Sequence, residues 1–442
     1  MKILFITTYY PPMTSIASVR PWALCHYMAQ YGNDVTVLCA GKVGTGKSND
    51  LYKNLDTVRV VRCFPLAQDS SKDSTKSNRG SNVFRILKAA YRKIDGFLQN
   101  YGSYLLYFVT RWITAYYYYK REKIEINKLK KSGESFDVVI STFGGAENFF
   151  AGKYAADCFQ CPLVQDFRDT ISSGYCDSGL IRGYINRKVE KWAIKNADAI
   201  TGVSDDMLRH MMEVLHINAT YNVIYNGYVP LELVGGNKFI NKEKLNFCYT
   251  GTIYEKDDFS ALFSVVNKLI KKGIVQKNKI AINYAGGSWD RLVCQAKKYG
   301  LTDIIFNYGY LTFDDTFDLQ RNSDIFLVAS WNNDDDVGVI CGKFSEGVRI
   351  RKPIVCLVSG KKPNSELYRL NEKYKYGFCY ENASKTNSEP ELEEFLVKQY
   401  KRKINGESIH YNPHSNLFID LRYDYLAKKM EEVCKKIQVN QL

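Results

Sequence analysis

Lys343 and Glu346 stand three residues apart in the stretch from Gly338 to Val355, GVICGKFSEGVRIRKPIV. On a helix that spacing projects both side chains from one face near its N-terminus. A cation and a carboxylate there, with the positive helix end behind them, could hold a phosphate and a ribose hydroxyl together. The same spacing also describes an exposed ion pair, and spacing by itself favours that plainer reading. The run that follows, PIVCLV, is short, apolar and β-branched, as suits a strand buried on both faces of a parallel sheet.

Other residues of suggestive type and spacing can be weighed in the same way. GKVGTGKS, Gly41 to Ser48, matches the phosphate-cradling P-loop letter for letter. A P-loop must open a helix of real length, yet only Asn49 to Asn54 precede the next strand-like run, so an ordinary loop is the better reading. Cys158 and Cys161 have redox or zinc spacing, but no second pair completes a zinc site. Asp334, Asp335 and Asp336 read as solvated loop acids, and His410 and His414 are separated by Pro413 where a zinc helix would need none. Asp166, Arg168 and Asp169 fall at the end of the strand-like run PLVQDFRDT.

These residues belong to a chain of 442, enough for two or three domains with ample core. It is 45% hydrophobic and 24% charged, ordinary for a globular protein, but its 33 tyrosines are unusual. The formal charge is +14, and Arg79 to Lys131 alone carries twelve Lys/Arg against three Asp/Glu. That concentration invites an anionic partner. Nucleic acid is disfavoured because no recognition motif accompanies the charge. The opening MKILFITTYYPP has too short an apolar core for a signal peptide, and no run is long enough to span a bilayer. The twelve cysteines are scattered, mostly in apolar runs, which suits buried thiols in a reducing cytoplasm.

The elements that must position the candidates follow an α/β rhythm. Lys2 to Thr8 predicts a strand, the residues around Trp22 to Met28 a helix, and Asp34 to Ala40 a second strand, the start of a parallel sheet. Ligands in such sheets bind where strands end, which points to the loop Thr8 to Arg20. Residues 66–82 read as a solvated loop, and 82–131 as a pair of basic, Tyr-rich helices around YLLYFVTRWITAYYYYK. Those helices either pack on their own domain or present Tyr, Trp, Lys and Arg to a membrane surface. FDVVIST, PLVQDFRDT, ADAITGVS and YNVIYNGY read as further strands. A second series, LNFCYTGTIYEK, IAINYAGGS, DIIFNYGYL, DIFLVAS and PIVCLV, follows a linker and precedes a terminal helix from about Leu417 to Lys436.

Taken in order, these stretches resemble the family-4 retaining glycosyltransferases of GT-B architecture. KILFITTYYPP with Arg20 looks like the family's opening strand and loop, and NADAITGVS and NVIYNGY like its next landmarks. YTGTIYEKDD, the run from YAGGS to YGYL, and NSDIFLVAS continue the likeness. GKFSEGVRIRKPIV is similar to a form common in enzymes of bacterial surface-polysaccharide assembly. The resemblance covers nearly the whole chain. It implies an α/β fold of two Rossmann-like doubly wound domains with an interdomain cleft and a closing C-terminal helix. The expected domains are 1–228 for the acceptor, with a helical insertion at about 82–131, a linker at 229–244, 245–415 for the donor, and a helix at 416–442 packing back on the first domain.

The resemblance further implies a nucleotide-sugar donor, expected to be a UDP-sugar, and a lipid-linked saccharide acceptor. Lys343 and Lys256 would neutralise the donor diphosphate beside Gly251 and Thr252, Glu346 would take the ribose hydroxyls, and Gly309 and Tyr310 would border the base. Asp169, Arg168 and Arg20 would lie near the sugar and the incoming hydroxyl. No metal or other cofactor is expected, and 82–131 would meet the inner face of the cell membrane. Four departures from the family pattern stand out. Gly338 replaces an acid, a motif histidine near Arg168 is absent, Thr14-Ser15 replace the glycine pair of the first loop, and Arg351 replaces a glycine. The missing acid and histidine keep a catalytically inactive partner protein open as an alternative, and the shared architecture keeps open a nucleotide-sugar epimerase.

Overall fold

The computed structural model describes residues 1–13, 15–41, 58–64, 103–172, 180–230 and 236–439. The P-loop-like run beyond Gly41 and the first part of the basic segment, 82–102, lie outside them. The chain divides into two compact units: Met1–Ser172 with Asp177–Thr201 and Glu431–Leu442, and Ser173–Cys176 with Gly202–Met430.

The first unit is built on β1 (Lys2–Thr7), β2 (Asp34–Cys39), β3 (Arg59–Arg62), β4 (Val138–Thr142), β5 (Leu163–Phe167) and β6 (Ala199–Gly202). They stand in the order β3-β2-β1-β4-β5-β6; the two-residue β7 (Asn222–Val223) that follows belongs to the second unit. β1 pairs in parallel with both β2 and β4, so Phe5 stands opposite Val37 on one side and Ile140 on the other. Such central strands carry no solvated face, which is why KILFIT and VVIST read as continuous apolar runs. Helix α1 (Val19–Gln30) follows β1. The 29-residue α2 (Ser103–Lys131), α3 (Ala146–Phe159) and α4 (Leu180–Lys195) complete the unit.

The second unit opens on α5 (Asp205–Leu215) and centres on β8 (Leu245–Thr250), β9 (Ile280–Ala285), β10 (Ile305–Asn307), β11 (Ile325–Trp331), β12 (Ile354–Ser359) and β13 (Gly377–Glu381). Their order, β10-β9-β8-β11-β12-β13, is parallel throughout. Alternate residues of β8 feed opposite cores. Leu245, Phe247 and Tyr249 pack with α6 (Ser260–Lys271) and α7 (Trp289–Lys297), whereas Cys248 packs with α8 (Phe313–Asn322), α9 (Gly342–Arg349) and α10 (Glu366–Tyr374). Helix α11 (Lys385–Ile404) closes the first of these faces.

Two expectations from sequence need correction. YNVIYNGY supplies only the two residues of β7, because Ile224 donates to the Gly202 carbonyl and the chain then leaves the sheet. The terminal helix is broken into α12 (Asn416–Asp420) and α13 (Tyr423–Val439). At the break, Tyr228 bonds through its backbone to Leu421 and Tyr423, at 2.9 and 3.0 Å, and this pairing replaces a helical turn.

Helix α2 turns Ala115, Glu122, Ile126 and Leu129 inward at helical spacing. Glu122 is wholly buried, and among the described residues neither carboxylate oxygen has a hydrogen-bond partner. Burial, reinforced by the nearby Glu147, pushes its carboxyl well above the usual carboxylate range. A raised folded-state value means that stability is complete below the unfolded value and is lost as pH rises through the folded one. Glu122→Met should therefore stabilise the fold by about 1–3 kcal/mol near neutral pH. In urea melts the gain should grow from about pH 5 to about pH 8; a pH-independent loss of stability would refute the buried neutral acid.

Candidate functional site

Lys343 lies in the first turn of α9, and the end of β8 is shaped around it. There the chain turns through Gly251 at a φ of 105°, a conformation that favours glycine. A Cβ at this position would come within 2.9 Å of Lys343 Cε, so the missing side chain leaves the space that the lysine stem fills. Lys343 Nζ donates to the Thr252 carbonyl at 3.4 Å and stands 5.2 and 5.6 Å from the ring centroids of Tyr249 and Tyr254. Glu346 turns to a different partner. Its Oε2 accepts from Gln320 Nε2 at 2.9 Å, and the same amide nitrogen donates to Thr250 Oγ1 at 2.7 Å. Lys343 and Glu346 thus make no ion pair with each other, and the plainer reading of their spacing does not describe this helix.

Two further loops meet the same strand end. Gly251 N donates to the Ala285 carbonyl at 2.7 Å, and Tyr284 OH to the Gly251 carbonyl at 3.1 Å. A Cβ on Gly286 would lie 2.2 Å from that carbonyl, and one on Gly287 would lie 2.0 Å from Tyr310 OH. The glycine pair therefore lets three loops close together, with Tyr310 across them. Gly309 turns the chain at a φ of 64°, and Tyr310 remains 88% exposed, an open aromatic face beside Gly287.

Lys256 is placed differently from the free cation expected. Its Nζ pairs with Asp336 Oδ2 at 2.7 Å and lies 5.4 Å from the Trp331 ring centroid. Asp336 is thus an anchored group rather than a merely solvated loop acid. The two departures around α9 also acquire physical causes. Gly338 has a φ of 70°, and a Cβ on it would lie 2.2 Å from Ser204 Oγ and 2.4 Å from Met207 N. That helix start is itself locked, because Glu366 accepts from Ser204 Oγ at 2.6 Å and from the backbone of Asp205 and Asp206 at 3.0 Å each. No side chain fits at 338. Arg351 ends α9 in the left-handed conformation at a φ of 54°, where glycine is usual, and its guanidinium lies 4.6 Å from the Phe418 ring.

In the first unit Arg20 is not at the surface. It is 1% exposed and grips Asp166 twice, Nη2 to Oδ1 at 2.8 Å and Nε to Oδ2 at 3.1 Å. Thr142 and Thr201 add hydroxyl donors to the same carboxylate at 2.7 and 2.8 Å. Burial works to raise this carboxyl, but Arg20 and the two hydroxyls outweigh it and hold it below the usual range. Arg20 is therefore a supporting residue in this structure, since its guanidinium is committed beneath the surface.

Two residues beyond Asp166 the chain emerges. Arg168 Nη1 donates to the Ala17 carbonyl at 2.8 Å, and Asp169 is exposed. The far side of this turn is pinned as well, because the buried Glu190 accepts from Ile171 N and Ser172 Oγ. Asp169 is thus presented from a short segment fastened at both ends.

Sequence reasoning passed over Glu147, which opens α3 beside the end of β1. Thr8 Oγ1 donates to it at 3.3 Å, and burial raises its carboxyl above the usual range. The signal lay in Gly144-Gly145. A Cβ on Gly144 would come 2.7 Å from Thr8, and one on Gly145 2.2 Å from the Glu147 carboxylate, so both glycines make way for these groups.

Arg20→Leu would leave Asp166 buried with two hydroxyls and no cation. A loss of about 3–5 kcal/mol in stability is expected from denaturant unfolding. A substitution that left stability unchanged would mean that Arg20 is not structural.

Among the described residues no group of three or more His, Cys, Asp and Glu is gathered to hold a metal ion. No protein-family model matches the chain, and no curated protein matches it by sequence. Solved structures do match along the whole length. A sucrose-phosphate synthase from Thermosynechococcus elongatus superposes with a TM-score of 0.57 at 12% identity, covering 99% of both chains. Anabaena Alr3699/HepE, solved in complex with UDP and glucose, gives 0.56 at 12%, covering 99% of this chain and 100% of its own. The lipopolysaccharide outer core galactosyltransferase WaaB, in its apo form, gives 0.54 at 13% with both chains covered completely. At such identities the likeness is one of fold: two parallel-sheet, Rossmann-like domains arranged in sequence as in the GT-B glycosyltransferases.

Proposed function

We propose that the protein is a retaining glycosyltransferase, moving a hexosyl or acetamidohexosyl group from a nucleotide-sugar to a lipid-linked saccharide or polysaccharide precursor. The observation that carries this reading is Lys343: an ammonium held by ring faces and one carbonyl at the end of β8, with no carboxylate paired to it among the described residues. A cation so placed suits a diphosphate, whose charge grows as the sugar C1–O bond breaks and the electron pair passes to the departing phosphate oxygen. Lys343 would supply this stabilisation without a metal, Lys256 being paired with Asp336. Glu346, oriented by Gln320, would accept the ribose hydroxyls, and Tyr310 with Gly309 would border the base. In the first unit Asp169 and Arg168 would serve the acceptor side. A uridine donor is suggested by HepE, which was solved with UDP and glucose, and a surface-saccharide acceptor by the lipopolysaccharide named for WaaB.

Thermal unfolding with UDP-, GDP-, ADP-, CDP- and TDP-sugars tests the donor reading. A ligand at 100 times its dissociation constant should add about 2.7 kcal/mol. The shift should appear with one nucleotide and vanish in Lys343→Ala and in Glu346→Ala. No shift with any of them would remove the reading.

The membrane part of the proposal places the protein in the cytoplasm, against the inner face of the cell membrane. It rests on the outer face of α2, where Ile113, Tyr116, Tyr117 and Ile124 are 59%, 58%, 41% and 46% exposed and Lys120 lies 4.8 Å from the Tyr116 ring. Aromatic, aliphatic and cationic groups on one face suit an anionic lipid surface. No described helix is long and apolar enough to cross a membrane. Replacing Tyr116, Tyr117 and Lys120 together by serine should abolish co-sedimentation with phosphatidylglycerol vesicles while the nucleotide-induced shift persists. Undiminished co-sedimentation would remove the membrane claim.

A further inference from the structure

The turn between β11 and α9 holds a carboxylate that the donor chemistry above leaves unused. Asn333 and Asp336 close this turn with reciprocal backbone hydrogen bonds of 3.2 and 3.3 Å. Lys256 Nζ, at 2.7 Å, and the Trp331 indole N–H, at 2.6 Å, both reach Asp336 Oδ2. Neither touches Oδ1, which takes no hydrogen bond from the described residues although the side chain is only 16% exposed. Two donors thus fix the group in direction and leave one oxygen open.

The groups around this carboxylate are aromatic and cationic. Trp331 meets Tyr254 edge-on with ring centroids 6.3 Å apart, and Tyr254, 54% exposed, lies 5.6 Å from Lys343 Nζ on its other side. Lys343, Tyr254, Trp331, Lys256 and Asp336 therefore form a continuous row. One end offers an ammonium with no ion-pair partner among the described residues, and the other an anchored carboxylate beside an aromatic ring. A sugar presents hydroxyl donors around an apolar ring of C–H groups. An acceptor-only carboxylate beside the exposed ring of Tyr254 and that of Trp331 matches both features. Position 338, where the family resemblance places an acid, is closed to any side chain by Ser204 and Met207.

We propose that Asp336, through Oδ1, accepts hydroxyl groups of the donor sugar and determines that a nucleotide-sugar binds more tightly than the bare nucleoside diphosphate. Lys256 and Trp331 are its positioning residues. The inference rests on the donor reading given above and assigns the sugar end of that same site. A site built to bond a hydroxyl discriminates strongly, because its own polar group is stranded when the hydroxyl is missing.

Calorimetric titration with three pairs, UDP and UDP-glucose, ADP and ADP-glucose, and GDP and GDP-mannose, tests it on the wild type, Asp336→Asn and Trp331→Phe. The wild type should bind the sugar form of one pair at least about tenfold more tightly than its diphosphate. Asp336→Asn should bring that ratio close to one while the diphosphate affinity stays within about threefold. Trp331→Phe, which removes the indole N–H, should lower the ratio in part. Equal changes for both members of the pair, in either direction, would make Asp336 a mere counter-ion of Lys256 and overturn the proposal. A wild type that binds a diphosphate but gains nothing from the sugar overturns the proposal alone, and one that binds no pair overturns the donor reading with it.

Discussion

The first unit depends on one buried charge. Asp166 has no exposure, and four donors converge on it: two from Arg20 and one each from Thr142 and Thr201. A carboxylate out of water is tolerable only when every lone pair is engaged, and here that condition ties α1 to the ends of β4, β5 and β6 at once. The turn carrying Arg168 and Asp169 leaves directly from this knot and is caught again by Glu190. The geometry of that turn is thereby set by satisfaction of charge below it.

The second unit achieves precision by a different means, the absence of side chains. Gly251, Gly286 and Gly287 allow the ends of β8 and β9 and the loop after β10 to approach within distances that a Cβ would forbid. Gly338 does the same for the start of α5. Where these backbones close together, the remaining polar groups have few directions left. Gln320 orients Glu346, and the Trp331 indole and Lys256 orient Asp336.

This division explains what could be read from sequence. Alternation of apolar runs with helical stretches gave both sheets, because parallel strands buried on two faces leave a strong linear signal. That Lys343 and Glu346 stand on one helix followed from their spacing, a local property. Arg20 was misplaced because burial and the partner Asp166, 146 residues away, are not local. Asp336 was hidden for the same reason, its partner Lys256 lying 80 residues earlier. Glu122 could not be foreseen as a core residue, since a glutamate between Arg121 and Lys123 reads as part of a charged face until α2 is packed.

Arg351 carries a consequence of another kind. Its left-handed backbone would be relaxed by glycine, yet the guanidinium covers Phe418 at the break before the last helix. Strain at one position and stacking at another are thus coupled, so the effects of changing the two residues should not simply add. Glycine at 351 would relax the backbone but uncover the ring, and the two effects offset each other.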